Sequence, residues 1–539
     1  MSTKSWLKNY PDHIATEIEI PNKTMPQILQ DTTQTYPDHN ALTFYHKKIS
    51  YRELSTLVGA FASALQQNGV TKGDRVAIML PNCPQYVISY YGTLTVGAIV
   101  TQLNPMLVER ELQYILNDSG AETIVIFDAL YPRLKAIQSE TSVKKVVVVS
   151  LQPTEQTFTP DLMFEQFLAA GNGKVSYVDI DPAEDVAILQ YTGGTTGRSK
   201  GAMLTHRNLV ANIYQCVEFY KDDLQFGQER YLTVIPLFHV FGMTACMNFA
   251  IFTGSSSILL PRFDLQEVLN TIQAEKPTIF PGVPTMYVAI TNHPEAEKYG
   301  IDSIRICNSG SAPMPVELLR EFERKTGARI LEGYGLSEAS PVTHCNPNFA
   351  ERKPGTIGIG YPSTEYKVVD LAEGITEVDP GELGELIIRG PQVMKGYWNM
   401  PEETANTLRD GWLYTGDIAR MDDEGYVSIM DRKKDMIIAG GFNIYPRDIE
   451  EILYEHPAVM EAVVVGVPDE YRGETVKAVI VPKAGKEVSE DEIIQYCREN
   501  MSAYKVPRLV EFRAELPKTS VGKILRRVIK EELSNKQTN

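Results

Sequence analysis

The sequence predicts an α/β protein that is divided into several domains. Its 539 residues are too many for one hydrophobic core. Helical and strand-like patterns alternate from about residue 50 to about residue 330, which favours mostly parallel sheets covered by helices on both faces. Near residue 355 the pattern changes to short strands between glycines and prolines, and another change follows the charged segment 431–435. We therefore expect a small antiparallel barrel or sheet and, after it, a separate small α+β domain.

Individual elements are identified by their capping residues and apolar spacing. Ser50 and Glu53 form a capping-box pattern, and the apolar residues after them keep the helical spacing up to Gly69. Ser489 and Glu492 repeat the pattern near the C-terminus. Further elements are predicted as helices at 109–117 and from Thr205 onward, and as strands at 75–80, 123–127, 146–149, 186–190, 366–369, 384–389, 462–466 and 476–481.

Composition and charge narrow the functional class. Hydrophobic residues make up 43% and charged residues 22% of the chain, as in ordinary globular proteins. The net charge of −17 argues against non-specific nucleic-acid binding, because the phosphate backbone would repel the chain. Six scattered cysteines without a C-x-x-C pair argue against a zinc site or a disulfide framework, and the first residues lack the apolar core of a signal peptide. We therefore predict a cytoplasmic protein.

Residues 231–261 contain no Asp, Glu, Lys or Arg. This length alone would admit a transmembrane helix. However, Pro236, Gly242, Asn248 and Gly254 interrupt the run, and three serines follow. We therefore expect a buried helix and strand of an α/β core rather than a membrane span.

The most informative segment, residues 191–201, has the sequence YTGGTTGRSKG. Its glycines allow backbone N–H groups to approach an anion, and its hydroxyls and lysine add donors and positive charge. The lysine is followed by Gly201 rather than Ser or Thr, so the ordinary P-loop spacing of ATPases and GTPases is absent. A flexible surface loop is the alternative. Because a strand pattern precedes the segment and a helix pattern follows it, we favour a phosphate-binding turn between strand and helix.

Three further segments carry residues suited to nucleotide chemistry. Glu338 follows a tight glycine-rich turn, Asp417 ends the segment YTGD, and Lys523 ends the segment PKTSVGK. Each residue has a simpler alternative when it is read alone. Glu338 is then a helix-start acid, Asp417 a turn residue and Lys523 a surface charge.

Taken in order, these segments resemble the adenylate-forming superfamily of acyl-CoA synthetases, luciferases and peptide-synthetase adenylation domains. The resemblance runs from about residue 24 to about residue 530. It rests on segments 191–201, 236–242, 309–313, 333–338, 414–417, 431–435 and 440–446, and on Lys523. Within the superfamily, segments 410–418, 431–437, 502–508 and 521–527 are most similar to bacterial long-chain fatty acid–CoA ligases.

The resemblance implies a more specific fold. A large N-terminal adenylation domain, residues 1–430, consists of two doubly wound α/β subdomains and a small β-barrel subdomain at about 340–430. A hinge at 431–435 follows, with Lys434 as its expected pivot. A small mobile α+β lid domain, residues 436–539, ends the chain.

The resemblance also implies the activity. These enzymes convert a fatty acid, ATP and CoA to acyl-CoA, AMP and diphosphate through an acyl adenylate, and they use Mg²⁺. A medium-chain or aryl acid is the alternative substrate, and a nucleotide- or lipid-binding protein without turnover is the alternative class. We expect no nucleic-acid partner and no integral membrane span; peripheral membrane contact and a homodimer stay open.

The residues that the resemblance assigns fall into five groups. Catalytic roles go to Lys523, Glu338, Thr196 and Lys434, and the Mg²⁺ ligands are Thr192 and Glu338. Nucleotide contacts are expected at Thr192, Gly193, Gly194, Thr195, Thr196, Gly197, Lys200, Gly310, Ser311, Ala312, Pro313, Gly333, Tyr334, Gly335, Ser337, Asp417, Arg432 and Lys523. CoA contacts are expected at Gly440, Gly441 and Phe442, with Lys505 and Arg508 as candidates for its phosphates. The carboxylate pocket is expected at His239, Val240, Phe241, Gly242 and Met243. The alternatives are a core histidine at His239 and solvated charges at Lys505 and Arg508.

Overall fold

The computed structural model describes residues 4–152, 158–159, 161–192, 199–312, 314–439, 442–469, 472–519 and 522–537. These residues form two large, mostly parallel sheets and two smaller sheets that are mostly antiparallel. We refer to residues 436–537 as the C-terminal region.

The predicted alternation of helices and strands produces the two large sheets. One contains, in spatial order, Gly396–Tyr397, Lys200–Thr205, Val186–Thr192, Ile99–Gln102, Arg75–Met79, Thr123–Phe127, Lys145–Val149 and Leu162–Met163. The other contains Ile359–Gly360, Val342–Cys345, Arg329–Gly335, Ile306–Ser309, Ile279–Gly282, Arg230–Thr233, Ser256–Leu259, Asn40–Phe44 and Lys47–Ser50. In the first sheet, Val76 and Ile78 contact one apolar cluster and Ala77 and Met79 another, so both faces are buried. This confirms the predicted doubly wound architecture.

Helices cover both faces of these sheets and of the C-terminal sheet. Their bounds are Met25–Thr35, Tyr51–Gln67, Pro84–Thr95, Glu109–Ser119, Tyr131–Ile137, Phe164–Ala170, His206–Phe219, Phe249–Phe252, Leu265–Glu275, Pro284–Asn292, Val316–Thr326, Pro401–Thr407, Pro446–Glu455, Glu490–Asn500 and Arg526–Gln537. Both predicted capping boxes are confirmed. The side chains of Ser50 and Ser489 accept hydrogen bonds from the backbone N–H groups of Glu53 and Glu492, and each serine backbone N–H donates in return to the carboxylate of that glutamate.

The two smaller sheets follow in the order that the sequence predicts. Strands Glu365–Val369, Gly384–Arg389, Trp412–Met421, Leu408–Arg409 and Val427–Arg432 form an antiparallel sheet. Strands Phe442–Ile444, Ile437–Ala439, Gly473–Pro482, Val459–Asp469 and Leu509–Phe512 form the sheet of the C-terminal region. Two strands inside the range expected for the barrel, Val342–Cys345 and Ile359–Gly360, pair instead with a large sheet.

The charge-free run folds into the core, as predicted. Gly242–Asn248 forms a π-helical turn that continues into the helix Phe249–Phe252, and all four residues of the strand Ser256–Leu259 are buried. Among the described residues, no helix combines the length and the apolar character needed to cross a membrane.

The glycine-rich segment differs in one respect from its prediction. Strand Val186–Thr192 is followed by a second strand, Lys200–Thr205, and the two pair antiparallel with Thr192 opposite Lys200. The helix His206–Phe219 begins only after this second strand, with Thr205 as its N-cap. The segment therefore connects the two strands of a hairpin, and the predicted strand-to-helix turn is wrong. Residues 193–198 lie outside the described residues.

Candidate active site

Lys523 lies on a tight turn that contacts the N-terminal part of the protein. Its backbone N–H donates to Oγ1 of Thr519 at 3.1 Å, and Gly522 in the same turn has a left-handed φ of 75°. A Cβ atom on Gly522 would stand 2.7 Å from Oγ1 of Thr285, in the helix Pro284–Asn292. The turn that carries Lys523 therefore packs against the helix Pro284–Asn292.

The Lys523 side chain is crowded by charged groups of both parts of the protein, although part of its surface stays accessible to solvent. The positive charge of Arg432 and, after it, burial lower the pKa of Lys523 to about 8, while Asp417 acts in the opposite direction. Lys523 also lies near His239, whose pKa it helps to lower. The turn thus brings a cation from the C-terminal region to residues on three segments that precede this region in the sequence.

Asp417 is a buried carboxylate with both oxygens engaged. The Tyr334 hydroxyl donates to Oδ2, and Nε of Arg432 lies 3.2 Å from Oδ1. Asp417 and Arg432 are also partners across adjacent antiparallel strands, which fixes their spacing. Burial and the Asp417 charge raise the pKa of Tyr334 well above its ordinary value, so this hydroxyl keeps its proton. Each carboxylate oxygen retains a lone pair for a further donor.

His239 is held as a neutral imidazole. Its Nδ1 accepts a hydrogen bond from the Phe241 backbone N–H at 3.2 Å, which leaves the proton on Nε2. Burial, followed by the charge of Lys523, lowers the pKa of His239 to about 4. The segment 236–242, which carries His239, is tightly folded, because a Cβ atom on Gly242 would stand 2.3 Å from the carbonyl oxygen of Pro236. Val240, Gly242 and Met243 are buried beneath it.

Lys200 and Glu338 both contact a tyrosine, Tyr397, that the sequence reasoning missed. The Tyr397 hydroxyl donates to Oε1 of Glu338 at 2.7 Å, and Nζ of Lys200 lies 5.2 Å from the centroid of the Tyr397 ring. Lys200 also forms an ion pair with Glu403, a second residue that was missed. The aromatic segment 396–399 (GYWN) and the acidic pair after it are the signals that could have drawn attention to both residues.

The donor set at Glu338 fits a magnesium ion. Mg²⁺ prefers oxygen ligands, retains several waters and commonly takes one or two carboxylates beside substrate phosphates. Glu338 supplies a half-buried carboxylate, and the Thr192 side chain is half-buried at the end of the strand Val186–Thr192. Within the described ranges, no group of three or more His, Cys, Asp or Glu residues could hold a metal by itself. A cation here would therefore depend on phosphate and water oxygens for most of its ligands.

Several of the residues expected around adenine are glycines or have short side chains. Ser311 has a left-handed φ of 66°, and a Cβ atom on Gly310 would press to 3.2 Å against the Phe241 ring. Gly335 is also constrained, since a Cβ atom there would stand 2.4 Å from the carbonyl oxygen of Pro341. Ala312, Gly333 and Ser337 are half-buried, and Pro313 lies outside the described residues.

An ion-pair cluster crosses the predicted hinge. Asp431 accepts from Nη1 of Arg526 at 3.1 Å and from the backbone N–H of Arg447 at 3.1 Å. Arg526 also donates to Glu450 at 2.6 Å. Burial, moderated by Arg526, raises the pKa of Asp431 to about 6. Lys434 itself is exposed, and burial of its neighbourhood lowers its pKa.

Three of the residues expected at CoA, Phe442, Lys505 and Arg508, belong to the described part of the structure. Gly440 and Gly441 are outside the described residues, and Phe442 begins the strand Phe442–Ile444. Nζ of Lys505 lies 2.5 Å from Oδ2 of Asp448, so this lysine already has an anionic partner. Arg508 is exposed.

Comparisons with known proteins identify the family of this chain. The family model "AMP-binding enzyme" matches residues 29–398, and "AMP-binding enzyme C-terminal domain" matches residues 448–523. The chain is 48% identical over 552 residues to the long-chain-fatty-acid–CoA ligase of Bacillus subtilis (strain 168), with 98% of each protein covered.

Solved structures give the same result. The anthranilate CoA ligase in complex with anthranoyl-AMP is 28% identical with a TM-score of 0.88, covering 97% of this chain and 99% of that one. ATP-bound MatB from Rhodopseudomonas palustris is 32% identical with a TM-score of 0.84, covering 95% and 99% respectively. Because the first family model spans more than half of the sequence, the chain belongs to the AMP-binding enzyme family.

Proposed function

We propose that this protein is an ATP-dependent fatty acid–CoA ligase that produces acyl-CoA, AMP and diphosphate through an acyl adenylate. ATP and CoA are substrates of AMP-binding ligases, and a full-length relative is named for long-chain fatty acids. The observation that carries the proposal is the position of Lys523, which the C-terminal region brings to Asp417, Arg432 and His239. Lys523 would thus lie between Asp417, which is expected to bind the ribose, and the pocket at His239, which is expected to bind the substrate carboxylate. A cation in this position can stabilise the charge that develops during adenylation.

In the first half-reaction, a carboxylate oxygen of the fatty acid attacks the α-phosphorus of ATP. The bond from this phosphorus to the bridging oxygen breaks, and diphosphate leaves with the electron pair. Negative charge builds on the oxygens between the reacting groups, and Lys523 stabilises it. The neutral His239 offers its Nε2–H to the incoming carboxylate and adds no competing charge.

Asp417 and Arg432 bind the nucleoside in this proposal. The remaining lone pairs of the Asp417 carboxylate accept the ribose hydroxyls, and Tyr334 together with Arg432 keeps the carboxylate in place. Short residues on the opposite wall leave room for a flat adenine, and Tyr334 offers it an aromatic face. The residues assigned to this wall are Gly310, Ser311, Ala312, Pro313, Gly333, Gly335 and Ser337.

The β- and γ-phosphates are bound by the glycine-rich hairpin and its lysine. The residues assigned here are Thr192, Gly193, Gly194, Thr195, Thr196, Gly197 and Lys200. Glu338 and Thr192 would hold Mg²⁺, which would neutralise phosphate charge. Glu338 keeps the orientation required for this role through its hydrogen bond from Tyr397.

The second half-reaction needs a different arrangement of the same residues. The CoA sulfur attacks the acyl carbonyl carbon, the bond from this carbon to the AMP oxygen breaks, and the thiol proton passes to solvent. We propose that the C-terminal region rotates about Lys434, which withdraws Lys523 and brings Gly440, Gly441 and Phe442 toward the CoA arm. The rotation breaks the contact of Asp431 with Arg526, because these residues lie on opposite sides of the pivot.

A panel of acids from acetate to oleate, with benzoate as an aryl member, tests the substrate. Release of AMP is measured with and without CoA, and acid-dependent exchange between ATP and diphosphate is measured without CoA. We expect the largest kcat/KM with long aliphatic acids. Preference for benzoate would show that the substrates are aryl acids rather than fatty acids. Nucleotide binding without any exchange would favour a non-catalytic binding protein.

A further inference from the structure

Tyr397 connects two expected nucleotide-site residues that are distant in the sequence. Its hydroxyl donates to Glu338 at 2.7 Å, and its ring lies 5.2 Å from the Lys200 ammonium. An ammonium at this distance from an aromatic face is attracted to it. The ring is only 7% exposed, so neither contact can easily exchange for water.

The backbone fixes Tyr397 in this position. Tyr397 pairs with Ala202 across neighbouring strands, in the hairpin that carries Lys200. Its N–H donates to Oγ1 of Thr404 at 2.8 Å, and the next N–H, that of Trp398, donates to the Gly201 carbonyl at 2.8 Å. The Tyr397 side chain is therefore oriented by the same hairpin whose lysine it contacts.

The Glu403 carboxylate forms an ion pair with the Lys200 ammonium. It lies in the short helix Pro401–Thr407, and its side chain is 43% exposed, whereas that of Lys200 is 16% exposed. A triphosphate carries more negative charge than one carboxylate and accepts more hydrogen bonds. A phosphate group entering the hairpin would therefore compete with Glu403 for Lys200.

We propose, on the basis of the proposed function, that Tyr397 is a positioning residue of the nucleotide site. Its hydroxyl sets the orientation of the Glu338 carboxylate, and its ring holds the Lys200 ammonium beside the hairpin. Glu403 keeps Lys200 paired until a phosphate group takes its place. Tyr397 thus acts on the nucleotide through two other residues and does not itself contact the reacting atoms.

The test is equilibrium binding of ATP to the full chain by titration calorimetry, without fatty acid and over a series of Mg²⁺ concentrations. Tyr397→Phe keeps the ring beside Lys200 but leaves Glu338 without its donor. We expect the Mg²⁺ concentration for half-maximal effect on ATP binding to rise about tenfold, with little change in ATP affinity in the absence of Mg²⁺. In the Glu338→Gln background, Tyr397→Phe should have almost no further effect on this Mg²⁺ response, because both changes remove the same interaction.

Two further variants separate the roles of the ring and of Glu403. Tyr397→Leu also removes the aromatic face, so ATP affinity without Mg²⁺ should fall about threefold below that of Tyr397→Phe. Glu403→Gln removes the competitor for Lys200, so ATP should bind more tightly, by about threefold. Weaker binding by Glu403→Gln would show that Glu403 supports the site, which overturns its assigned role.

Tyr131→Phe is the matched control. The Tyr131 hydroxyl donates to Asp161 at 2.7 Å and the Lys135 ammonium lies 5.5 Å from its ring, which reproduces the contacts of Tyr397 outside the proposed site. This variant should bind ATP with unchanged Mg²⁺ dependence. If wild type catalyses acid-dependent exchange but Tyr397→Phe binds ATP with unchanged Mg²⁺ dependence, the positioning role of Tyr397 is wrong. Absence of exchange in wild type would instead overturn the proposed function.

Discussion

Arg526 donates a hydrogen bond to Asp431 at 3.1 Å, and this ion pair joins the two sides of the proposed pivot at Lys434. The Asp431 side chain is only 2% exposed, so its charge depends on Arg526 and on the backbone N–H of Arg447. The pair belongs to the arrangement in which Lys523 faces Asp417. Its loss should therefore weaken that arrangement selectively.

Arg526→Met should slow adenylation about tenfold and change thioester formation from a supplied acyl adenylate much less. The variant leaves Asp431 buried without its cationic partner, which destabilises the arrangement used for adenylation. Thioester formation is affected less, because the proposed rotation of the C-terminal region already breaks this contact. Pre-steady-state measurement of each half-reaction checks this. Arg513→Met is the control, since Arg513 pairs with Glu511 and Glu532 inside the C-terminal region. If both variants slow the two half-reactions equally, the pair at Asp431 has no role in orienting the region.

Lys523→Ala should reduce adenylation by about 10²–10³-fold, because one well-placed charge at the reacting phosphate is lost. Thioester formation from a supplied acyl adenylate should retain most of its rate, since Lys523 is withdrawn in that step. The exposed Lys486 provides a control, and Lys486→Ala should leave both rates unchanged. Equal loss in both half-reactions would contradict a role confined to adenylation.

The pH dependence of adenylation should follow Lys523. Its pKa of about 8 in the free protein means that the charged form dominates below pH 8 and is lost above it. The kcat/KM for ATP should therefore fall as pH rises through about 8. His239, with a pKa of about 4, stays neutral over this range. Lys523→Arg should move the alkaline limb above pH 10, because a guanidinium keeps its proton there. An unmoved limb in this variant would assign the ionisation to another group.

Lys434→Pro should impair thioester formation more than adenylation. Proline fixes φ near −65° and restricts the preceding residue, so it opposes rotation at the pivot. Comparison with Lys434→Ala, which removes the charge and leaves the backbone free, isolates this effect. Single-turnover assays of the two half-reactions provide the measurement, and equal damage to both would argue against a pivot at this position.

Local sequence patterns predicted many elements of the fold, and the family resemblance predicted residues that meet at its site. The capping boxes at Ser50 and Ser489 depend on residues within one helical turn, so the local sequence specifies them. The strands Thr123–Phe127 and Gly384–Arg389 were predicted from runs of apolar residues of strand length. Asp417, Arg432 and Lys523 were expected through resemblance, and the structure brings them together.

The features that were not predicted depend on contacts between distant segments. The strand Lys200–Thr205 was missed because its pairing with Val186–Thr192 and Gly396–Tyr397, rather than its own spacing, makes it a strand. Tyr397 and Glu338 are separated by 59 positions, and nothing local to either residue announces their hydrogen bond. Such contacts follow from how the sheets pack, which periodicity along one segment does not describe.

Fatty-acid-dependent exchange of labelled diphosphate into ATP, measured without CoA and with Mg²⁺ present, tests acyl-adenylate formation directly. Wild type should incorporate label only when a fatty acid is present, and Lys523→Ala should lose that incorporation. If purified wild type incorporates no label with any aliphatic or aromatic acid, the chain does not form acyl adenylates and the proposed activity is wrong.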